Sequence, residues 1–219
     1  READRVITRL FANLLYVSAL CSKPSSITIG VAMAFSSETS IDDGIRAYNQ
    51  GNFSTALKEF AAAASAGHPA GKHLLASLYY QGHGVPRDLK KAVTLFSEAA
   101  ESNYPPSLAN LALMYSNGDG VPQDGAKAFE YGRRAAEAGD LQSQFNLGQA
   151  YRKGQGVPQD QVKAAFWYRK ASEAGSPQAQ NELGLLYAQG HGVPLDYIEA
   201  FAWIDMPAKI GRASCRERV

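Results

Sequence analysis

The sequence predicts an all-α fold, an α-solenoid of about five helix–turn–helix repeats with a 36-residue period. The tripeptide Gly-Val-Pro recurs four times at this spacing, beginning at Gly84, Gly120, Gly156 and Gly192. Columns of Leu, Tyr, Gly, Asp and Ala repeat around it with the same spacing. A fixed period of about 20–50 residues is the signature of a repeat architecture.

Each repeat begins with a helix, here called helix A. A Leu and a Tyr four residues apart lie on one helix face, and a small residue after the Leu allows a neighbouring helix to approach closely. A Gly three residues after the Tyr suits the C′ position, where the backbone needs a positive φ. These columns are Leu75, Leu111, Leu147 and Leu183; Ala76, Ala112, Gly148 and Gly184; Tyr79, Tyr115, Tyr151 and Tyr187; Gly82, Gly118, Gly154 and Gly190.

A loop and a second helix, here called helix B, complete each repeat. The Pro of Gly-Val-Pro prevents helix A from continuing, and an Asp two residues later suits the N-cap of helix B. An Ala and then a bulky residue give helix B its buried stripe. These columns are Asp88, Asp124, Asp160 and Asp196; Ala92, Ala128, Ala164 and Ala200; Leu95, Tyr131, Trp167 and Trp203.

The columns resemble the Sel-one-like repeat family, which is related to the tetratricopeptide repeats. The pattern small-x-x-x-Leu-Gly/Ala-x-x-Tyr-x-x-Gly-x-Gly-Val-x-x-Asp-x-x-x-Ala-x-x-Trp is complete over residues 179–203, and the resemblance extends over residues 41–205. It implies a tetratricopeptide-like α-solenoid that mediates protein–protein contacts, often in bacterial signalling, envelope or secretion systems. It implies neither an enzyme nor a cofactor.

Residues 1–34 are predicted to be a signal peptide or an untranslated leader. Arg5 and Arg9 precede an apolar run, and Ala32-Met33-Ala34 offers a cleavage site, so we expect a periplasmic or secreted protein. The alternative is a start at Met33 and a cytoplasmic protein. Lys23-Pro24 interrupts the apolar segment, which argues against a membrane span of about 20 residues.

The remaining segments of the chain are assigned by whether they fit the repeat columns. Residues 35–68 form a linker and an N-terminal tetratricopeptide-like helix pair, broken at Gly51-Asn52. Because this pair lacks the Gly-Val-Pro loop, it suits a terminal cap. The repeats extend over residues 69–209, the last one truncated. Residues 210–219 match the in-frame translation of a sequencing adapter and are predicted to be a cloning scar, the alternative being a genuine basic tail.

Composition narrows the function classes. A formal net charge of +1 argues against a nucleic-acid-binding surface. The two Cys residues lie outside the repeats, so no disulfide framework is inferred. His83 and His191 share a loop column with Asp119 and Gln155, which we interpret as a solvated position and not a metal site. We predict no catalytic residue, no metal and no cofactor.

The sequence leaves three functions open. The first is a protein-interaction scaffold. The second is a secreted hydrolase acting on peptidoglycan or β-lactams, an activity attributed to some relatives, which would need a nucleophile or a metal. The third is an envelope glycan binder, which would need an exposed aromatic platform. Trp167 and Trp203 lie in a packing column, so we expect the aromatic residues to be buried.

The partner is expected to be another protein or an extended peptide in a concave groove lined by the helices A, with no nucleic acid, no membrane span and a monomeric chain. Side chains beside the Leu column are predicted to face this groove. Asn and Gln can donate and accept hydrogen bonds, which suits a peptide backbone. The alternative is that these residues are merely solvated. The candidate residues are Asn110, Asn146, Gln149, Lys153 and Glu182.

Overall fold

The structure, a computed structural model, describes residues 40–204, which form ten helical segments without a strand. The predicted leader, residues 1–34, and the predicted adapter segment, residues 210–219, lie outside the described residues. The helices are α1 (residues 40–49), α2 (Phe53–Ser65), α3 (Pro69–Gln81), α4 (Leu89–Ala100), α5 (Pro105–Asn117), α6 (Gly125–Glu137), α7 (Leu141–Lys153), α8 (Gln161–Glu173), α9 (Pro177–Gln189) and α10 (residues 197–204).

The helices pair as the 36-residue columns predict. Helices α3, α5, α7 and α9 are the helices A, and α4, α6, α8 and α10 are the helices B of four repeats, preceded by the pair α1 and α2. From α2 to α9 the principal packing is between helices that are consecutive in the chain. Such nearest-neighbour packing is the defining property of a solenoid, so the predicted fold class is confirmed.

Capping residues fix where the helices end and begin. The Gly that closes each helix A has the predicted positive φ: 76° at Gly82, 79° at Gly118, 70° at Gly154 and 67° at Gly190. Helix B starts at the predicted Asp; the Asp88 and Asp160 carboxylates each accept a hydrogen bond of 2.9 Å from the backbone N–H three residues later. Both caps satisfy backbone groups that the helix leaves unpaired.

The Gly of the Gly-Val-Pro loop has a role that the sequence did not reveal. A Cβ atom on Gly120 would lie 2.7 Å from the Leu89 carbonyl oxygen, at the start of helix B in the preceding repeat. The loops at Gly84 and Gly192 approach Phe53 and Gln161 in the same way, whereas a Cβ on Gly156 would meet nothing within 4 Å. In three of the four repeats, therefore, only a residue without a side chain allows the loop to approach the preceding repeat this closely.

The core follows the predicted columns and one further column. Leu75, Leu111, Leu147 and Leu183 are all buried. The largest fully buried side chains of α2, α4 and α8 lie in a further column: Phe60, Phe96 and Tyr168 are 1%, 1% and 0% exposed. Because the Tyr168 ring would lie 2.7 Å from a Cβ on Gly148, the small-residue column of helix A makes room for this aromatic column.

Candidate functional site

A cavity between the second and third repeats lies among α5, α6 and α7. It has a volume of about 530 Å³ and is here called the second-repeat pocket. Its walls are mainly apolar, and the polar side chains at its edge include Asn110 and Asn146. The residues used below are Ala109, Asn110, Ala112, Gly132, Asn146 and Ala150.

The structure brings two of the five candidate residues together. Asn110 on α5 and Asn146 on α7 line the same pocket, from equivalent positions of consecutive helices A. The Asn146 side-chain oxygen accepts a hydrogen bond of 2.9 Å from Gln142 Nε2. Two carboxamides one repeat apart can therefore present donors and acceptors to one extended ligand.

The other three candidates lie elsewhere. Gln149 is half-buried on α7 and does not line the second-repeat pocket. Lys153 is exposed and lines a separate cavity of about 390 Å³, together with Gln189 and His191. Glu182 on α9 forms an ion pair of 2.9 Å with Arg152 on α7. The five candidates thus form no single site.

The position of Glu182 shows a structural role between repeats. Its carboxylate and the Arg152 guanidinium lie near the hydroxyl of the buried Tyr168. Burial, and secondarily the charge of Glu182, raise the pKa of Tyr168 to about 12, against an opposing effect of Arg152. The Arg152–Glu182 ion pair links α7 to α9, and the buried Tyr168 hydroxyl beside it has no hydrogen-bond partner among the described residues.

The helix-B lysines also have structural contacts. Lys91, Lys127 and Lys163 are one period apart, and their ammonium groups lie 4.1, 5.2 and 5.3 Å from the ring centroids of Tyr79, Tyr115 and Tyr151. An ammonium over an aromatic face is an attractive cation–π contact. These lysines therefore attach helix B to helix A within each repeat.

Two predictions about side chains need correction. His191 is exposed as expected, but His83 in the same column is half-buried: its ring stacks on Phe53 at a centroid distance of 4.6 Å, and its Nδ1 lies 3.1 Å from the Tyr48 hydroxyl. The aromatic residues are not all buried either, since Phe166, Tyr197 and Phe201 are 52%, 69% and 68% exposed. Trp167 is buried in the packing column, as expected.

The arginine pair on α6 is engaged in local contacts. Arg133 forms ion pairs with Glu130 and Glu137 on its own helix. Arg134 donates hydrogen bonds of 3.0 Å to the Ala100 carbonyl and 2.9 Å to Asn103 Oδ1. The two guanidinium groups are therefore bound to protein acceptors and not arranged for phosphate.

Neither a metal centre nor a membrane span can be built from the described residues. Within 40–204, no three His, Cys, Asp or Glu side chains cluster closely enough to hold a metal ion. In the same range, no helix has the length and apolar character needed to cross a bilayer.

Comparisons with known proteins give a consistent result. The family model described as Sel1 repeat matches residues 69–104, 105–140, 141–176 and 177–206. The crystal structure of a Sel1 repeat protein from Oxalobacter formigenes is 37% identical, with a TM-score of 0.69, over 71% of this chain and 46% of that one. Among curated proteins no match was found.

A second solved structure is that of c5321, a protective antigen of uropathogenic Escherichia coli strains displaying an SLR fold. It is 30% identical, with a TM-score of 0.71, over 80% of this chain and 38% of that one. The chain therefore spans less than half the length of these two structures.

Proposed function

Because the chain belongs to the Sel1 repeat family, we propose that it is a protein-interaction scaffold that holds an extended segment of another protein along its helices A. Sel1 repeat proteins are generally interaction scaffolds, and their fold is typically non-enzymatic. The observation that carries the proposal is the shared position of Asn110 and Asn146 in the second-repeat pocket.

The chemistry of these two side chains suits a polypeptide ligand. Each carboxamide can both donate and accept hydrogen bonds, as a peptide backbone requires. The pocket between them has mainly apolar walls, which suit the side chain that such a backbone carries.

We test the proposal by selecting peptides from a random display library on the purified chain. The affinities of the enriched peptides are then compared between the parent and Asn110→Ala/Asn146→Ala. The double variant is expected to bind at least tenfold more weakly, with an unchanged melting curve. Failure to enrich any peptide, or equal affinities, would contradict the proposal.

The matched control is Lys90→Ala/Glu173→Ala, two exposed residues of helices B. Lys127 and Lys163 are unsuitable controls, since their side chains lie over Tyr115 and Tyr151. The control variant is expected to bind the peptides as the parent does. If it loses affinity and the groove variant does not, the partner binds the helix-B face.

We also propose that the protein acts in the bacterial cell envelope after export. The support is the order of basic residues, an apolar run and the Ala32-Met33-Ala34 site in the sequence. N-terminal sequencing of the chain expressed in a bacterium should find Phe35 first. An uncleaved chain in the cytosol would instead favour translation from Met33.

A second candidate function, binding of envelope glycan, is favoured by the exposed rings of Phe166, Tyr197 and Phe201. Exposed aromatic rings can stack against sugar rings. Sedimentation with insoluble peptidoglycan should then depend on Phe166. Equal sedimentation of the parent and Phe166→Ala would remove the support for this candidate.

A further inference from the structure

One column of helix B is filled by a large aromatic residue in the neighbouring repeats but not in the second. Phe96 on α4 and Tyr168 on α8 are 72 residues apart, and both are buried in the core. Halfway between them, on α6, the column holds Gly132. The second repeat therefore has no side chain where its neighbours have an aromatic ring.

The facing column of helix A shows the same exception. His73 packs against Phe96 at a ring centroid distance of 5.3 Å, and Phe145 packs against Tyr168 at 5.7 Å. The equivalent residue of the second repeat is Ala109. Both members of the ring pair are thus replaced by small residues in this repeat alone of the three.

The backbone has not closed the space that these rings leave. A Cβ atom on Gly132 would have no neighbour nearer than the Ala112 Cβ, at 3.8 Å. By contrast, the same construction on Gly148 meets the Tyr168 ring at 2.7 Å. The empty space is the floor of the second-repeat pocket, lined by Ala109, Ala112, Gly132 and Ala150.

The volume of the second-repeat pocket suits a ligand side chain together with its adjoining backbone. The pocket volume of about 530 Å³ lies within the range of about 300–1,000 Å³ that is typical of ligand sites. It also exceeds the cavity of about 150 Å³ that accommodates benzene in an apolar core. An aromatic ring and the adjoining peptide groups therefore fit within it.

The charged residues that line the pocket are already paired with other groups of the protein, so the pocket can accept an uncharged ligand. Its charged lining residues are Arg133 and Asp140. Arg133 forms an ion pair of 2.7 Å with Glu130, and Asp140 accepts a hydrogen bond of 2.7 Å from the Ser143 N–H at the start of α7. Since both charges are already compensated, an apolar ring meets no unpaired charge on entry.

We propose that the second-repeat pocket binds an aromatic side chain of the partner polypeptide, in the space that Phe96 and Tyr168 fill in the neighbouring repeats. The ring lies on the floor formed by Gly132 and the alanines, and Asn110 and Asn146 hydrogen-bond the partner backbone. This inference rests on the proposed function and specifies the residue type that the scaffold selects.

The first experiment uses capped amino-acid amides, so it needs no identified partner. Backbone NMR signals of Ala109, Ala112 and Gly132 are followed during titration with N-acetyl-phenylalaninamide, N-acetyl-leucinamide and N-acetyl-alaninamide. The phenylalanine probe is expected to give saturable shifts in the millimolar range, the leucine probe to bind at least threefold more weakly, and the alanine probe to cause no shift. Absence of saturable shifts with the phenylalanine probe, or equal binding of leucine, would overturn the proposal.

Filled-pocket variants provide the decisive comparison. Gly132→Phe introduces on α6 the residue that α4 has at Phe96. Ala109→Phe introduces on α5 the residue that α7 has at Phe145, and it replaces the first variant in the experiment if that variant does not fold. Thr94→Phe, at an exposed position of α4, is the control for an added ring. Saturable binding should be lost in a folded filled variant and kept in the control. Binding that survives in a folded filled variant overturns the proposal.

The peptide selection separates this inference from the proposed function. We expect the enriched peptides to share an aromatic residue and to lose at least tenfold in affinity for a filled variant. Peptides without an aromatic residue that bind the filled variant equally would overturn the pocket inference and leave the scaffold function intact. Conversely, no enriched peptide together with saturable phenylalanine binding would support the pocket and contradict the scaffold function.

Discussion

At the scale of single residues, two helical glycines have opposite surroundings. A Cβ on Gly148 of α7 would lie 2.7 Å from the buried ring of Tyr168, whereas a Cβ on Gly132 of α6 would meet only the Ala112 Cβ, at 3.8 Å. Alanine is favoured over glycine by about 1 kcal/mol within a helix. The surroundings of each glycine therefore decide whether substitution by alanine raises or lowers the free energy of unfolding.

We expect Gly148→Ala to lower the free energy of unfolding by about 1–3 kcal/mol, because the new methyl group overpacks the core against Tyr168. Gly132→Ala should instead raise it by about 0.5–1 kcal/mol. Urea unfolding of the two variants and the parent measures both changes. If Gly148→Ala proves as stable as the parent, α7 and α8 have room that the structure does not show.

His73 makes stability depend on pH. Its ring packs against Phe96, its Nδ1 lies 3.0 Å from Ser107 Oγ, and burial lowers the pKa of His73 from 6.5 to about 4. Because the unfolded chain binds this proton more readily than the folded one, the stabilisation is complete above pH 6.5 and is lost as the pH falls towards 4. This group should lower the free energy of unfolding by up to about 2 kcal/mol between pH 7 and pH 5.

The comparison variant is His73→Gln, which keeps a hydrogen-bonding side chain without the titration. Urea unfolding at pH 7, 6 and 5 should show a smaller loss of stability in His73→Gln than in the parent. Parallel losses in the two proteins would show that His73 titrates as it does in water.

At the scale of the element, the helix–loop–helix unit depends on the backbone of its C-cap. Gly118 has a φ of 79°, and a Cβ there would meet no atom closer than 3.5 Å. Space is therefore not limiting, and the constraint is the left-handed conformation itself.

Gly118→Val should consequently lower the free energy of unfolding by at least about 1 kcal/mol, because a β-branched residue resists a positive φ. Gly118→Asn, which tolerates this conformation, should lose less than half as much. Thermal and urea unfolding of the pair tests this. Equal losses of stability in the two variants would show that a lost contact at Gly118, and not its backbone conformation, is responsible.

The units themselves were predictable because their columns encode local geometry. Asp at the N-cap and Gly at the C-cap act within a few residues, so spacing alone identifies them. The contact of His83 with Phe53 joins residues 30 positions apart, and no column marks it. The pocket was not predicted for a different reason: its signal is the exception at Gly132, and the column of Phe96, Gly132 and Tyr168 is not among the columns that define the repeat.

At the scale of the whole molecule, a solenoid has no central core that averages over its repeats. Its stability is close to a sum of repeat terms and nearest-neighbour terms. The absence of a ring pair at Ala109 and Gly132 should therefore lower the stability of the second repeat and not that of distant repeats. The second repeat, residues 105–140, should be the weakest of the three inner repeats.

Hydrogen exchange tests this prediction without any ligand. Interior amides of α5 and α6 should exchange faster than those of α3 and α4 and those of α7 and α8, because local opening there exposes fewer packed side chains. Gly132→Ala should slow exchange in α5 and α6 by about three- to fivefold, corresponding to roughly 1 kcal/mol, and leave the flanking helices nearly unchanged. Equal protection across the three repeats, or slowing spread evenly over all six helices, would show that the repeats unfold as one unit and that the empty space costs the second repeat no local stability.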